Sequence, residues 1–257
     1  MDVRCPVCKN KLIRKDRTYQ CENRHSFDIA KEGYVNLYLH KSQTSGDNKE
    51  MIQARRDFLK TDHYRFLLEE LNKQIDEEDV LVDLACGEGY YTSKFKAKDK
   101  TGIDLSKQGL RYAAKSDPDT TYILSSIFDV PLSDQCADKV LTIFAPIAEK
   151  EISRILKEDG CFILVRPDER HLYELKEVLY AKPYLNETED ILLEGLKQEK
   201  QIRIEEQTIL DRQELHDLFL MTPYSNTTSL EDKKKLDSIV SLRVTFSFII
   251  DLYRKDS

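Results

Sequence analysis

The chain has 257 residues, 40% of them hydrophobic, which suits one full α/β domain with an appendage and exceeds a single small module. No apolar run reaches the about 18 residues of a membrane span, and the opening MDVRCPVCKN lacks an apolar export signal, so a cytoplasmic protein without a membrane partner is expected. The net charge of −7 is unevenly divided. Residues 1–35 carry eight Lys/Arg against five Asp/Glu, a balance of +3, while the rest carries 32 against 42, a balance of −10. Such asymmetry can bring a polyanion to one end of a molecule.

In chain order, the first 35 residues read as a zinc ribbon. Cys5-Pro6-Val7-Cys8 and Cys21-Glu22-Asn23-Arg24-His25 form a C-x2-C…C-x3-H set with twelve residues between the pairs. Two hooked pairs can reach the four corners of a tetrahedron, and three thiolates with one imidazole make a closed, structural Zn2+ shell. A segment of about 35 residues cannot bury enough core to fold alone, so the metal supplies the folding free energy. Cys86, Cys136 and Cys161 lie in apolar surroundings and read as core thiols.

Residues 36–78 begin with the turn-prone stretch HKSQTSGDNKE. Met51, Ala54, Phe58 and Leu59, then Phe66, Leu67 and Leu71 follow at three- and four-residue spacing, which predicts a helical connector. Residues 79–257 alternate strands and helices. Strands are expected at 80–84, 101–105, 122–125, 139–144 and 161–166, with helices such as 106–115 and 147–156 between them. The alternation predicts a mostly parallel sheet covered by helices on both faces. Strands at 202–210 and 240–253 are expected to close it as an antiparallel edge, giving seven strands in all.

Where the first of these strands ends, the chain reads Asp83-Leu84-Ala85-Cys86-Gly87-Glu88-Gly89-Tyr90-Tyr91. Two of only eight glycines sit here, where a missing Cβ lets backbone approach a ligand closely. The second strand ends on Asp104, placed to accept hydrogen bonds from ribose hydroxyls at the carboxyl end of a parallel sheet. The Asp-x-Ala-Cys-Gly-x-Gly loop, paired with that acid, resembles the first two motifs of class I (Rossmann-like) methyltransferases. Ala85 stands where many members carry glycine. Leu124-Ser125-Ser126 with Val130-Pro131-Leu132 resembles the segment that borders the adenine, and residues 155–160 resemble the turn before strand five. The resemblance implies S-adenosylmethionine as cofactor, bound by Asp83, Ala85, Gly87, Glu88, Gly89, Tyr90, Tyr91, Asp104, Leu105, Ser126 and Ile127.

Nearly the whole chain resembles one family, the RlmA-type 23S ribosomal RNA (guanine-N1)-methyltransferases. The ribbon ligands carry the likeness, with residues 25–37 (HSFDIAKEGYVNL), Gly46-Asp47, residues 51–59 (MIQARRDFL) and His63-Tyr64. It continues through residues 83–92, Ala145-Pro146, Arg170-His171-Leu172, Glu174-Leu175-Lys176 and Met221-Thr222-Pro223. The family implies a guanine in a 23S rRNA hairpin as target, a ribbon that helps hold RNA, and a homodimer. One branch is linked to resistance to tylosin-type macrolides, and the Lys- and Ile-rich composition leans towards it.

N1 lies on the Watson–Crick edge, so the guanine must be unpaired or flipped. The methyl donor arrives activated, and the enzyme mainly has to align it with N1. Removing the N1 proton at neutral pH costs about 2.7 kcal/mol. Glu149, Asp168, Glu169 and His171 follow strands four and five, and the family-like stretch favours His171 as the catalytic residue. Phe144-Ala145-Pro146 is expected to line the base pocket. RNA contacts are expected from Arg4, Lys9, Lys11, Arg14, Lys15, Arg17 and Arg24, with Arg55 and Arg56 beyond the ribbon; phosphate binding of this kind weakens steeply with salt. Tyr19 and Tyr34 suit either base stacking or the ribbon's own core. Two other readings stay open: a quinone-type small-molecule methyltransferase with a structural ribbon, and a non-catalytic zinc-ribbon RNA-binding protein.

Overall fold

The computed structural model describes residues 1–40 and 49–256; Gly46-Asp47 and most of the polar stretch lie outside the described residues. The ribbon is a three-stranded antiparallel sheet of β1 (Ile13–Lys15), β2 (Thr18–Gln20) and β3 (Ser26–Asp28). It is followed by β4 (Val35–Asn36), α1 (Lys49–Leu59), α2 (Arg65–Asn72) and β5 (Val80–Leu84). Next come β6 (Asp99–Asp104), α3 (Lys107–Ser116), β7 (Thr121–Leu124), β8 (Ala137–Ile143), α4 (Glu149–Ile155) and β9 (Leu156–Pro167). The chain ends with α5 (Tyr173–Leu179), β10 (Leu196–Asp211), α6 (Arg212–Met221), α7 (Tyr224–Thr227), α8 (Leu230–Lys235) and β11 (Ser241–Lys255).

The main sheet runs β10-β11-β9-β8-β5-β6-β7-β4, parallel from β9 to β4 and antiparallel at β11 and β10. The seven expected strands are present, and the expected count is corrected to eight. The additional strand is β4, whose Val35 and Asn36 pair with Ile123 and Leu124 of β7. A two-residue strand has no period to read, so only tertiary pairing reveals it. From β5 the chain steps outward to β6 and β7, then crosses to β8 on the other side. A crevice therefore opens at the carboxyl ends beside β5, the usual ligand position in such sheets.

Neither the ribbon nor the helical connector stands apart from the sheet. Phe58, Leu59, Leu67, Leu68 and Leu71 of α1 and α2 share one core with Leu81, Ile163, Phe246 and Phe248 of the sheet and Leu215 and Leu218 of α6. The 3.6-residue periodicity of residues 51–71 is thus that of a covering layer. On the opposite face, Val3, Leu12, Tyr19, Val35 and Leu37 pack with Val82, Ile103, Val140, Ile152 and Phe162. The ribbon supplies part of that face's cover, and the expected boundary at residue 35 falls inside β4.

Candidate functional site: a cofactor crevice and a four-ligand metal cluster

Cys5, Cys8, Cys21 and His25 come together with all ligand atoms within 4.8 Å of one another. Two tight turns present them, closed by Lys9 N–H donating to Cys5 O and Arg24 N–H to Cys21 O, with Lys9 and Arg24 in the left-handed region. Cys8 and Cys21 Sγ are 3.7 Å apart, and His25 Nδ1 lies 3.4 Å from Cys21 Sγ and 3.6 Å from Cys5 Sγ. Zn–S bonds of about 2.3 Å at tetrahedral angles put sulfurs about 3.8 Å apart, so the chemistry and spacing of this donor set fit zinc. The Asn10 backbone N–H, with His25 and the neighbouring cysteines, lowers the Cys8 thiol to about 6, towards the thiolate a metal needs, while burial raises Cys5.

The cofactor loop begins at the end of β5. Ala85, Gly87 and Gly89 all take left-handed backbone, at φ +63°, +57° and +74°. A Cβ on Gly89 would lie 2.8 Å from Ala113 Cβ, and one on Gly109 2.8 Å from Gly87 O, so glycine lets loop and α3 touch. At Gly87 a Cβ would meet only the end of Arg55 within 4 Å among the described residues, so this turn faces open space. Ala85 has no such freedom and carries strain that glycine would not, on the order of 1–2 kcal/mol.

Asp104 braces the loop. Its carboxylate accepts from Gly87 N–H at 2.8 Å and from Ser106 N–H at 2.5 Å, while Ser106 Oγ caps α3 by accepting from Gly109 N–H. Leu105 beside it is exposed, and Ser126 Oγ, at the end of β7, accepts from the N–H of exposed Phe128. Gly87, Glu88, Asp104, Leu105 and Ser126 thus lie together at the carboxyl ends of β5, β6 and β7. This donor set suits a nucleoside with an amino-acid tail: a carboxylate for ribose hydroxyls, an open glycine turn and apolar flanks.

Other expected cofactor residues lie behind that front. The Asp83 carboxyl is buried and accepts from Thr92 Oγ1 at 2.5 Å. Burial raises it to about 7 against the opposing Thr92 bond, with Asp104 and Glu88 adding to the rise. Ile127 sits in the core, and Tyr90 and Tyr91 pack edge to face on each other, against the core that holds α2.

At the ends of β8 and β9 His171 is turned into an aromatic cluster. Its ring is 7% exposed, 4.7 Å from Phe248, 6.5 Å from Tyr64 and stacked at 6.5 Å with Phe144. Nδ1 accepts from Ser247 N–H at 3.3 Å, and burial, aided by Lys176, lowers the imidazole to about 3. A neutral histidine with Nδ1 already bonded is a poor proton acceptor. The ring backs Phe144, which is 44% exposed and held at φ +53°, an unusual conformation for a bulky residue. Asp168 is paired with Arg203 at 2.7 Å, and Glu149 accepts from Glu194 N–H. Glu169 is exposed.

The basic residues divide as well. Lys9 pairs with Asp129 at 3.0 Å and Lys11 with Asp2 at 2.7 Å, while Arg17 caps the carbonyls of Ile29 and Ala30. Arg14, Lys15 and Arg24 stay exposed. Tyr19 and Tyr34 are core residues. Beyond the ribbon, Arg55 lies 4.0 Å from Glu88, and Arg56 stacks 3.8 Å from the Tyr112 ring centre. Sequence spacing cannot show this, because the partners come from α3 and the cofactor loop.

Two protein families match the chain: the N-terminal zinc ribbon of RlmA over residues 3–41 and a methyltransferase domain over residues 75–237. A 23S rRNA (guanine(748)-N(1))-methyltransferase of Streptomyces fradiae is 35% identical over 188 residues, 69% of this chain and 67% of its own. YxjB of Bacillus subtilis, whose name proposes 23S rRNA (guanine-N1)-methyltransferase activity, is 29% identical over 94% of this chain and 93% of its own. Among solved structures, the YcgJ protein of Bacillus subtilis aligns at a TM-score of 0.47 and 14% identity over 74% of this chain and 98% of its own.

Proposed function

Because the chain belongs to the RlmA-type 23S ribosomal RNA (guanine-N1)-methyltransferases, we propose that it moves the methyl group of S-adenosylmethionine to N1 of a guanine in a 23S rRNA hairpin. The observation that carries the reading is the joining of a Cys3His ribbon to the same sheet whose carboxyl ends form the crevice. The Streptomyces relative is named for guanine 748, which is the proposed target here, with tylosin-type resistance as the expected consequence and a homodimer as the working form.

S-adenosylmethionine, when bound, supplies a methyl group on a sulfonium that needs no further activation. Asp104 holds the ribose hydroxyls, Gly87 and Glu88 the amino-acid end, and Leu105 with Ser126 the adenine; Asp83, Ala85, Gly89, Tyr90, Tyr91 and Ile127 shape the loop from behind. Phe144, backed by neutral His171, offers an exposed ring on which an unstacked guanine can lie. His171, buried and with Nδ1 already bonded, is a poor acceptor for the N1 proton, and Glu169, open to solvent, would receive it. Cys5, Cys8, Cys21 and His25 hold Zn2+, and Arg14, Lys15 and Arg24 of the ribbon meet phosphates.

The test is transfer of labelled methyl groups to unmodified large-subunit RNA, mapped by primer extension, which N1-methylguanine blocks. A stop at the hairpin guanine is expected. Labelling of a small phenol or quinone instead of RNA would overturn the reading.

A further inference from the structure

Arg55 reaches from α1 to the cofactor loop. Helical spacing places it on the side of Met51, Ile52, Phe58 and Leu59, all buried against the core. Its side chain is accordingly only 26% exposed, and Nη1 lies 3.7 Å from where a Cβ on Gly87 would stand. The stacking of Arg56 on Tyr112 of α3 ties the same helix turn to the loop's other support.

The charges around this point are lopsided. Asp83, Glu88 and Asp104 are close enough that Asp104 and Glu88 raise the Asp83 carboxyl, and Glu88 is itself raised by burial, with Arg55 and, less strongly, Arg56 opposing. Glu88 and Asp104 at the front suit the ammonium and sulfonium charges of S-adenosylmethionine. They repel its third charge, the methionyl carboxylate, which must therefore meet a cation to enter. At 4.0 Å, Arg55 and Glu88 are beyond hydrogen-bond reach of each other, with a side-chain exposure of 8% for Glu88. An arginine and a carboxylate held side by side at an open glycine turn match a zwitterion with one group for each pole.

We propose that Arg55 binds the carboxylate of the cofactor's methionyl end and Glu88 its ammonium, so that α1 reads the amino-acid tail while the loop and Asp104 read the nucleoside. The inference rests on the methyltransferase reading above and adds to it a named residue outside the glycine loop.

The test is calorimetric titration of the full chain with two probes, S-adenosylhomocysteine and 5′-methylthioadenosine, which lacks the amino-acid tail. Arg55→Met is expected to weaken S-adenosylhomocysteine about ten- to a hundredfold, the loss of a charged hydrogen bond, while methylthioadenosine affinity stays unchanged. Arg55→Lys, which keeps the charge and serves should Arg55→Met fold poorly, is expected to recover part of the loss. Equal weakening of both probes would make Arg55 a packing residue and overturn the inference. So would unchanged S-adenosylhomocysteine binding with weakened RNA binding. If the unaltered protein bound neither probe, the methyltransferase reading itself would fail.

Discussion

Asp83 has the least expected chemistry of the loop residues. The sequence places a carboxylate at the front of a nucleotide site; the fold turns it under the loop, onto Thr92, where burial raises it to about 7. Because the folded chain then binds this proton more tightly than the unfolded one, stability falls as pH rises from the ordinary 3.8 towards about 7. Asp83→Asn keeps an acceptor for Thr92 and removes the titration. Denaturant unfolding at pH 5 and pH 8 should show the parent chain losing a few kcal/mol, on the order of the shift itself, and the variant losing much less. Equal slopes for the two would mean that Asp83 is not what titrates. The glycines and Asp104 were legible because each answers to local backbone geometry. The environment of His171 was not, since Ser247, Phe246 and Phe248 reach it from β11, more than seventy residues away.

At the level of elements, the decisive contact joins α4 to the segment after β7. Arg154 donates to Val130 O and Leu132 O, both at 2.8 Å, and pairs with Glu151 and Asp134. Glu151 returns the contact by accepting from Val130 N–H at 2.6 Å. That brace shapes the segment on which the ribbon docks: Arg4 N–H donates to Pro131 O, and Val3 bridges to Leu132. Arg154→Met leaves two carbonyls without their donor, at a cost of about 2 kcal/mol. Hydrogen exchange at the Arg4 amide is expected to quicken at least tenfold in that variant. Full protection there would show that the ribbon holds its place without the brace. Helices α1, α3 and α4 and the succession of strands along the chain could be read from the apolar pattern, because each carries a repeating apolar face. Strand β4 and the docking segment could not, because their structure exists only in what they pair with.

The same docking bears on how the whole molecule unfolds. The charge division invites a picture of two bodies, a basic module carried by an acidic enzyme, and an independent ribbon would melt apart from the sheet. The packing argues otherwise. Ribbon residues Val3, Leu12 and Tyr19 are buried in one cluster with Val82, Ile103 and Val140 of the central strands, and β4 completes the sheet beyond β7. Loss of the metal therefore strips cover from a face of the main sheet as well as from the ribbon. Chelation, or Cys5→Ser, is expected to lower the midpoint of one cooperative transition by about 10 °C, the shift about 3–4 kcal/mol produces in a chain of this size. Circular dichroism of the main sheet and fluorescence of a dye placed on the ribbon should lose signal together. If the ribbon signal fell alone and the sheet melted at its original temperature, the two would be separate folding units. A single transition would mean that zinc, through the ribbon, helps hold the cofactor crevice itself, because β7, which carries Ser126 at its end, is the strand on which β4 closes.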